Sequence, residues 1–568
     1  MKNTSKLPIL LLGLLALCAS SPGQAAASGE LMIFGGPIHT MAETQPEVEA
    51  VVVADGRILF AGSREDALAW TGSDTRMLDL AGKTMIPGFI ESHGHIMSLG
   101  YSLKELDLSG ATTYSDMVAQ VAAAVAAAQP GEWIIGNGWH QSKWVTPPPV
   151  EVKGFQTHGL LSEVSPDNPV LLNHASEHAV MVNARAMQLA GIDADTVVAA
   201  GGEIIKDANG EPTGILTENA MDLAYRAVSP HTAAQNLQAL GLALNELARN
   251  GITSFQDAGS EQADIDTYRA LYAQGKLSSR LWVMLAGWDE TLLAEWLKKG
   301  PEIDADHDFL TIRAIKLVAD GALGSRGAWL LKPYSDRPDY SGSARIPMET
   351  VLTVAREALQ AGFQLCVHAI GDRTNREVLD QFETAFHGQH SDARFRIEHA
   401  QHLSAQDIGR FAHLGVIASM QGIHLSSDRP WAIDSLGKER IEEGAYVWRK
   451  LLDSGAIIIN GTDVPVEPVN PIASFYALVT RKTLAGLPEN GYEPSQKLTR
   501  PEALRAYTLN AAYGAFEENI KGSIEAGKLA DFTILSADIM TIAENDLLDV
   551  QVEQTIVGGN TTYLRSHQ

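Results

Sequence analysis

Cysteine is almost missing from this chain: Cys18 and Cys366 are the only two in 568 residues, so at most one disulfide can form. Positive charge is also scarce, with 43 Lys+Arg against 69 Asp+Glu and a formal net charge of −26. A surface of that sign repels phosphate backbones and argues against nucleic-acid binding as the main task. No G-x-G-x-x-G run follows any apolar stretch, which removes the usual signature of a dinucleotide-binding sheet. Beyond the first residues there is no apolar run of the roughly 20 residues that a membrane-spanning helix needs. Nor are glycine, proline and charged residues abundant enough for a collagen-like or disordered chain.

What is present begins with a leader. Lys2 and Lys6 precede an apolar run from Leu7 to Ala19, followed by small residues ending in Ala25, Ala26 and Ala27. This is the pattern of a secretory signal peptide over residues 1–27. Its removal takes Cys18 with it and leaves Cys366 as the sole thiol, so export into an oxidising compartment creates no intramolecular disulfide. The expected product is exported, periplasmic or secreted.

Residues 28–82 alternate short β-rich runs with turns, including Asp55-Gly56 between two such runs, a hairpin signal. The tail, 520–568, has the same character. The two ends are expected to make one small composite β domain, a β-sandwich, around a middle of 83–519. That middle alternates apolar β runs with helical stretches. Eight candidate strands fall at 84–92, 252–257, 281–286, 310–318, 363–368, 395–399, 416–421 and 456–463. Eight βα units predict an α/β protein with a (β/α)8 barrel, whose chemistry sits at the C-terminal ends of the strands. The gap between the first two strands is too long for one helix, so a large insertion is expected at about 100–240.

Polar residues end five of these strands. His93 and His95 lie two apart on the first, so their side chains share a face and can reach one ion. Lys316, His368, His399 and Asp463 end four others. Imidazoles and a carboxylate suit a divalent cation such as Zn²⁺, although Fe, Mn and Co accept the same ligands. An ammonium ligates nothing, so Lys316 needs either an ion pair with Asp320 or Glu398 or conversion to a carbamate by CO₂. Cys366 shares the face of His368 and is expected to pack rather than ligate.

The set of motifs resembles the amidohydrolase superfamily. The segments that carry the resemblance are Pro-Gly-Phe-Ile-Glu-Ser-His-Gly-His at 87–95, Ile-Lys-Leu-Val-Ala-Asp-Gly-Ala-Leu-Gly-Ser-Arg at 315–326, His-Ala-Ile-Gly-Asp-Arg at 368–373, Arg-Ile-Glu-His-Ala-Gln at 396–401 and Gly-Thr-Asp-Val-Pro-Val-Glu-Pro at 461–468. They are most similar to the YtcJ-like branch, which includes N-substituted formamide deformylases. The resemblance implies one or two metal ions held by His93, His95, carbamylated Lys316, His368, His399 and Asp463. It implies hydrolysis of an amide-type, non-peptide C–N bond of a small molecule by a metal-activated hydroxide, with Asp463 as the catalytic acid–base. Glu91 stands where relatives commonly have Asp. His178 and Arg326 are candidate substrate-binding residues. An exported dipeptidase or N-acyl-amino-acid deacylase, with Arg326 clamping a carboxylate, is the second enzyme class. A catalytically silent binding or regulatory protein is the third. Self-association into a homo-oligomer is left open.

Overall fold

The computed structural model describes residues 28–566 except 199–200, 229–230 and 305, so the leader expected at 1–27 lies outside the described residues. Eight parallel strands form one sheet in chain order. They are β1 Phe89–Gly94, β2 Ile252–Ser260, β3 Arg280–Ala286, β4 Leu310–Val318, β5 Gln364–Ala369, β6 Arg396–His399, β7 Ile417–Met420 and β8 Ile458–Asn460. Both faces of such a sheet are covered, and β3 reads accordingly: all seven of its residues are buried. The outer helices are one-sided. In Met348–Ala361 the buried residues are Val351, Val354, Ala355 and Ala358, the spacing of one helical face, and the helix stops at Gly362 in the left-handed region.

The sheet is a nearly closed barrel. No strand ladder joins β8 to β1. Instead the backbone N–H of Asp463 donates to the carbonyl of His93, and that of His95 to the carbonyl of Val464, both at 2.8 Å. Glu91 adds a clasp by accepting from the backbone N–H of Thr462 at 2.7 Å and from its hydroxyl at 3.0 Å.

The run expected as one strand over 84–92 is two. Thr84–Pro87 pairs antiparallel with Phe532–Leu535 and parallel with Gly29–His39, and Phe89–Gly94 is β1. Pro87 brings no N–H to a ladder, and a Cβ on Gly88 would sit 2.1 Å from the Thr253 hydroxyl, so the chain changes sheets there. Both chain ends therefore enter one eight-stranded mixed sheet around a shared apolar cluster. A buried bidentate pair, Arg280 with Asp531 at 2.7 and 2.9 Å, ties it to the barrel.

Between β1 and β2 a six-stranded sheet rises with apolar clusters of its own. Its strands Val170–His174 and Ala179–Val182 form a hairpin whose tip, 175–178, lines the cavity over the barrel. Among the described residues no helix is long and apolar enough to cross a membrane.

Candidate metal centre

Parallel register places the polar strand ends at one level. Val318 of β4 pairs with His368 of β5, and Ala369 of β5 with His399 of β6. The result is a cluster of imidazoles around one carboxylate. Asp463 Oδ1 lies 3.3 Å from Nε2 of both His93 and His95. Its Oδ2 lies 3.9 Å from His399 Nδ1 and from His424 Nε2. Two overlapping groups of metal-capable atoms thus share Asp463: His93 with His95, and His399 with His424. His368 completes the wall, its ring 4.5 Å from that of His399. His399 and Asp463 both adopt left-handed backbone, with φ of 73° and 61°. That region is unfavourable for most L-residues, and such strain collects at functional sites.

The rings are held from behind. His93 Nδ1 bonds Glu398, which pairs with fully buried Arg396 at 2.7 Å. Arg396 also donates to Gln256 and to the carbonyl of Ser92, both at 2.6 Å. His399 Nδ1 donates to Gln421 Oε1 at 2.8 Å. The first bond leaves the His93 Nε2 lone pair facing Asp463, and the second holds the His399 ring, the usual support of ligating histidines. Asp320 accepts from the backbone N–H groups of Ile370, Gly371 and Trp329 and from the Thr374 hydroxyl, shaping the turn after His368.

Electrostatics follow from burial and neighbours. Burial alone would push the Asp463 carboxyl up, but His399, His93 and His95 outweigh it and hold it well below the usual range. Burial lowers Lys316, against the pull of Glu398 and Asp463. Burial also drives His368 and His399 well below an ordinary imidazole, so both are neutral and carry lone pairs. Glu91, outside the cluster, is raised to about 8 by its burial.

Lys316 is buried with its Nζ 3.1 Å from His93 Nε2. Neither ion pair considered for it, with Asp320 or with Glu398, is within 4.0 Å. Cys366 is a buried free thiol packed with Ala258, Trp282, Met284, Ala314 and Ala515. His178 faces the cavity from the hairpin tip, its ring 5.3 Å from that of His368. Arg326 does not reach this cavity. It pairs with Asp336 in its own loop and donates to the carbonyls of Leu323 and Gly324, beside a neighbouring cavity.

Four cavity residues carried no argument in the sequence. His424 sits in the first turn of Gly422–Leu436, just past β7; its place beyond a strand end was the available signal. Glu177, Asp428 and Glu467 lie on loops and helices whose approach to the barrel mouth no spacing announces.

The donor set fits a metal. Nε2 of His424 is buried without a hydrogen-bond partner among the described residues, and that of His368 has the Asp320 carboxylate 3.5 Å away. Neutral imidazoles converging on a carboxylate are the ligands that borderline divalent cations take. The cavity above them encloses about 190 Å³ and admits a small molecule rather than a folded chain.

A barrel carrying such a cluster at its C-terminal mouth defines a metal-dependent hydrolase, and comparison makes the class explicit. The model of the Amidohydrolase family matches residues 76–563, and the chain belongs to that family. It is 35% identical over 541 residues to the Bacillus subtilis protein named as the amidohydrolase YtcJ, covering 94% of this chain and 99% of the relative. It is 28% identical over 548 residues to the N-substituted formamide deformylase of Arthrobacter pascens, covering 94% and 99%. A metal-dependent hydrolase from Pyrococcus horikoshii superposes with a TM-score of 0.73 at 26% identity, covering 90% of this chain and 99% of its own.

Proposed function

We propose that this chain is an exported hydrolase that cleaves an amide-type, non-peptide C–N bond of a small molecule. The observation that carries the proposal is the position of Asp463 between His93 and His95 on one side and His399 and His424 on the other. His93, His95, His368, His399 and Asp463 would hold one or two divalent ions, with Zn²⁺ the natural choice for imidazole and carboxylate. A cation there supplies Lewis acidity, polarising a carbonyl and acidifying water. Asp463 takes a proton from the attacking water and returns it to the leaving nitrogen. Lys316, buried without a carboxylate in reach, would react through its neutral amine with CO₂, releasing one proton and becoming an anionic carbamate able to ligate. The name of the Arthrobacter relative supports the C–N bond, and the basic, apolar and small-residue start of the chain supports export.

The dipeptidase reading leaned on Arg326 as a carboxylate clamp, and its pairing with Asp336 removes that support. The test is a screen of the mature protein, supplied with Zn²⁺, Mn²⁺ or Co²⁺ and bicarbonate, against formamides, N-acyl amino acids and dipeptides. Turnover of formamides or related small amides is expected, and Asp463→Asn lowers kcat by about 10²–10⁴ with metal still bound. Unchanged turnover in that variant removes the role of Asp463. Preference for dipeptides favours the second class, and neither metal nor turnover favours the silent one.

A further inference from the structure

The wall of the cavity facing the metal cluster is built with as much care as the cluster, by residues outside the candidate metal set. His178 Nδ1 lies 2.8 Å from Glu218 Oε2. Glu218 is buried and held from three directions: by Arg345 at 3.3 Å, by the Ser325 hydroxyl at 3.1 Å, and by its own N–H donating to the carbonyl of His178 at 3.1 Å. It keeps this place in the left-handed region, with φ of 50°. Two glycines of the loop after β4 make room for it. A Cβ on Gly321 would stand 2.3 Å from Glu218 Oε1, and one on Gly327 2.4 Å. Neither glycine has the backbone angle that demands glycine, so the space is what forbids a side chain. The carboxylate thus joins the inserted sheet to the loop that follows the Lys316 strand.

Charge decides how the histidine is used. Arg345, 3.3 Å from Glu218 Oε2, balances the buried carboxylate. An ionised carboxylate has no proton to give, so Nδ1 of His178 is the donor in the 2.8 Å contact. On a neutral ring that lines the cavity, the remaining nitrogen, Nε2, is an acceptor.

We infer that Glu218 is a positioning residue that locks His178 as the Nδ1–H tautomer, so that Nε2 accepts a hydrogen bond from the N–H of the scissile amide and selects secondary over N,N-disubstituted amides. This rests on the proposed C–N hydrolysis and narrows its substrate class. A tertiary amide offers no donor there and brings a methyl group against the ring, leaving the acceptor unpaired.

The test compares N-butylformamide with N-butyl-N-methylformamide on wild type, Glu218→Gln and Glu218→Asp, with bound metal measured in each. Wild type is expected to favour the N–H compound in kcat/KM by at least about tenfold, the worth of one hydrogen bond. Glu218→Gln collapses that ratio toward one with metal retained, chiefly through KM for the N–H compound, and Glu218→Asp restores part of it. Equal use of both compounds by wild type overturns the inference, as does an equal loss on both in Glu218→Gln. Should neither compound turn over, the substrate reading fails, and the tautomer decides the inference separately. In ¹⁵N-histidine-labelled metal-free protein, the His178 signals, identified by their absence from His178→Asn, should show Nδ1–H. In Glu218→Gln that state should be lost or mixed. An Nε2–H tautomer in wild type overturns the assignment.

Discussion

The floor and the side wall of one cavity are made in different ways. The floor residues stand at or just past the ends of neighbouring parallel strands, so barrel register brings His93, Lys316, His368 and His399 together. The wall residues His178 and Glu218 sit 40 positions apart on an inserted antiparallel sheet, opposite one another just past the Ala179–Thr217 pair. Strand pairing sets their backbones opposite each other, and an ion pair, a hydroxyl and two glycines then fix the Glu218 carboxylate. A floor set by topology tolerates changes in the wall, whereas the wall depends on single contacts.

That contrast can be broken from either side. Stripping the metal with a chelator should abolish turnover, and Zn²⁺ with bicarbonate should restore it; activity that survives complete removal, checked by elemental analysis, denies the floor its role. Glu398→Gln should come next. It leaves Arg396 charged and buried without its partner, at a cost of about 3–5 kcal/mol in urea unfolding of the metal-free protein. It also frees the His93 ring, which should weaken metal binding by about 10–100-fold. Gly321→Ala should cost about 1–3 kcal/mol by forcing Glu218 aside. Its bound metal should stay at the wild-type level, and loss of metal would show that floor and wall are not separable. Arg326→Ala should be smallest, with stability within about 0.5 kcal/mol and kcat/KM within about twofold, since a half-exposed ion pair contributes little. A large rise in KM there would return Arg326 to the substrate.

Legibility in the sequence follows the same division. The barrel was readable because buried parallel strands are continuous apolar runs separated by one-sided helices, as in Arg280–Ala286 and Met348–Ala361. The floor residues were readable because each ends such a run. The break at Pro87-Gly88 was not, since the run stays apolar across it and only the competing sheet reveals two strands. His424 escaped because it lies four residues past its strand, on a helix. Glu218 escaped because it ends a strand of the insertion, where a lone acid carries no pattern. Arg326 looked like a clamp beside the Lys316 strand, yet the turn of its loop gave it Asp336.

By itself the sequence determined the parallel barrel and the row of histidines, lysine and aspartate at its mouth, because period and strand-end position are local properties of the chain. Tertiary structure alone decided which groups support them: Glu398 behind His93, Arg396 behind Glu398, Glu218 behind His178, and, among the described residues, no carboxylate within 4.0 Å of the Lys316 amine. Those choices depend on distances between residues up to hundreds of positions apart, and in a low-dielectric interior such distances set whether a buried charge is paired.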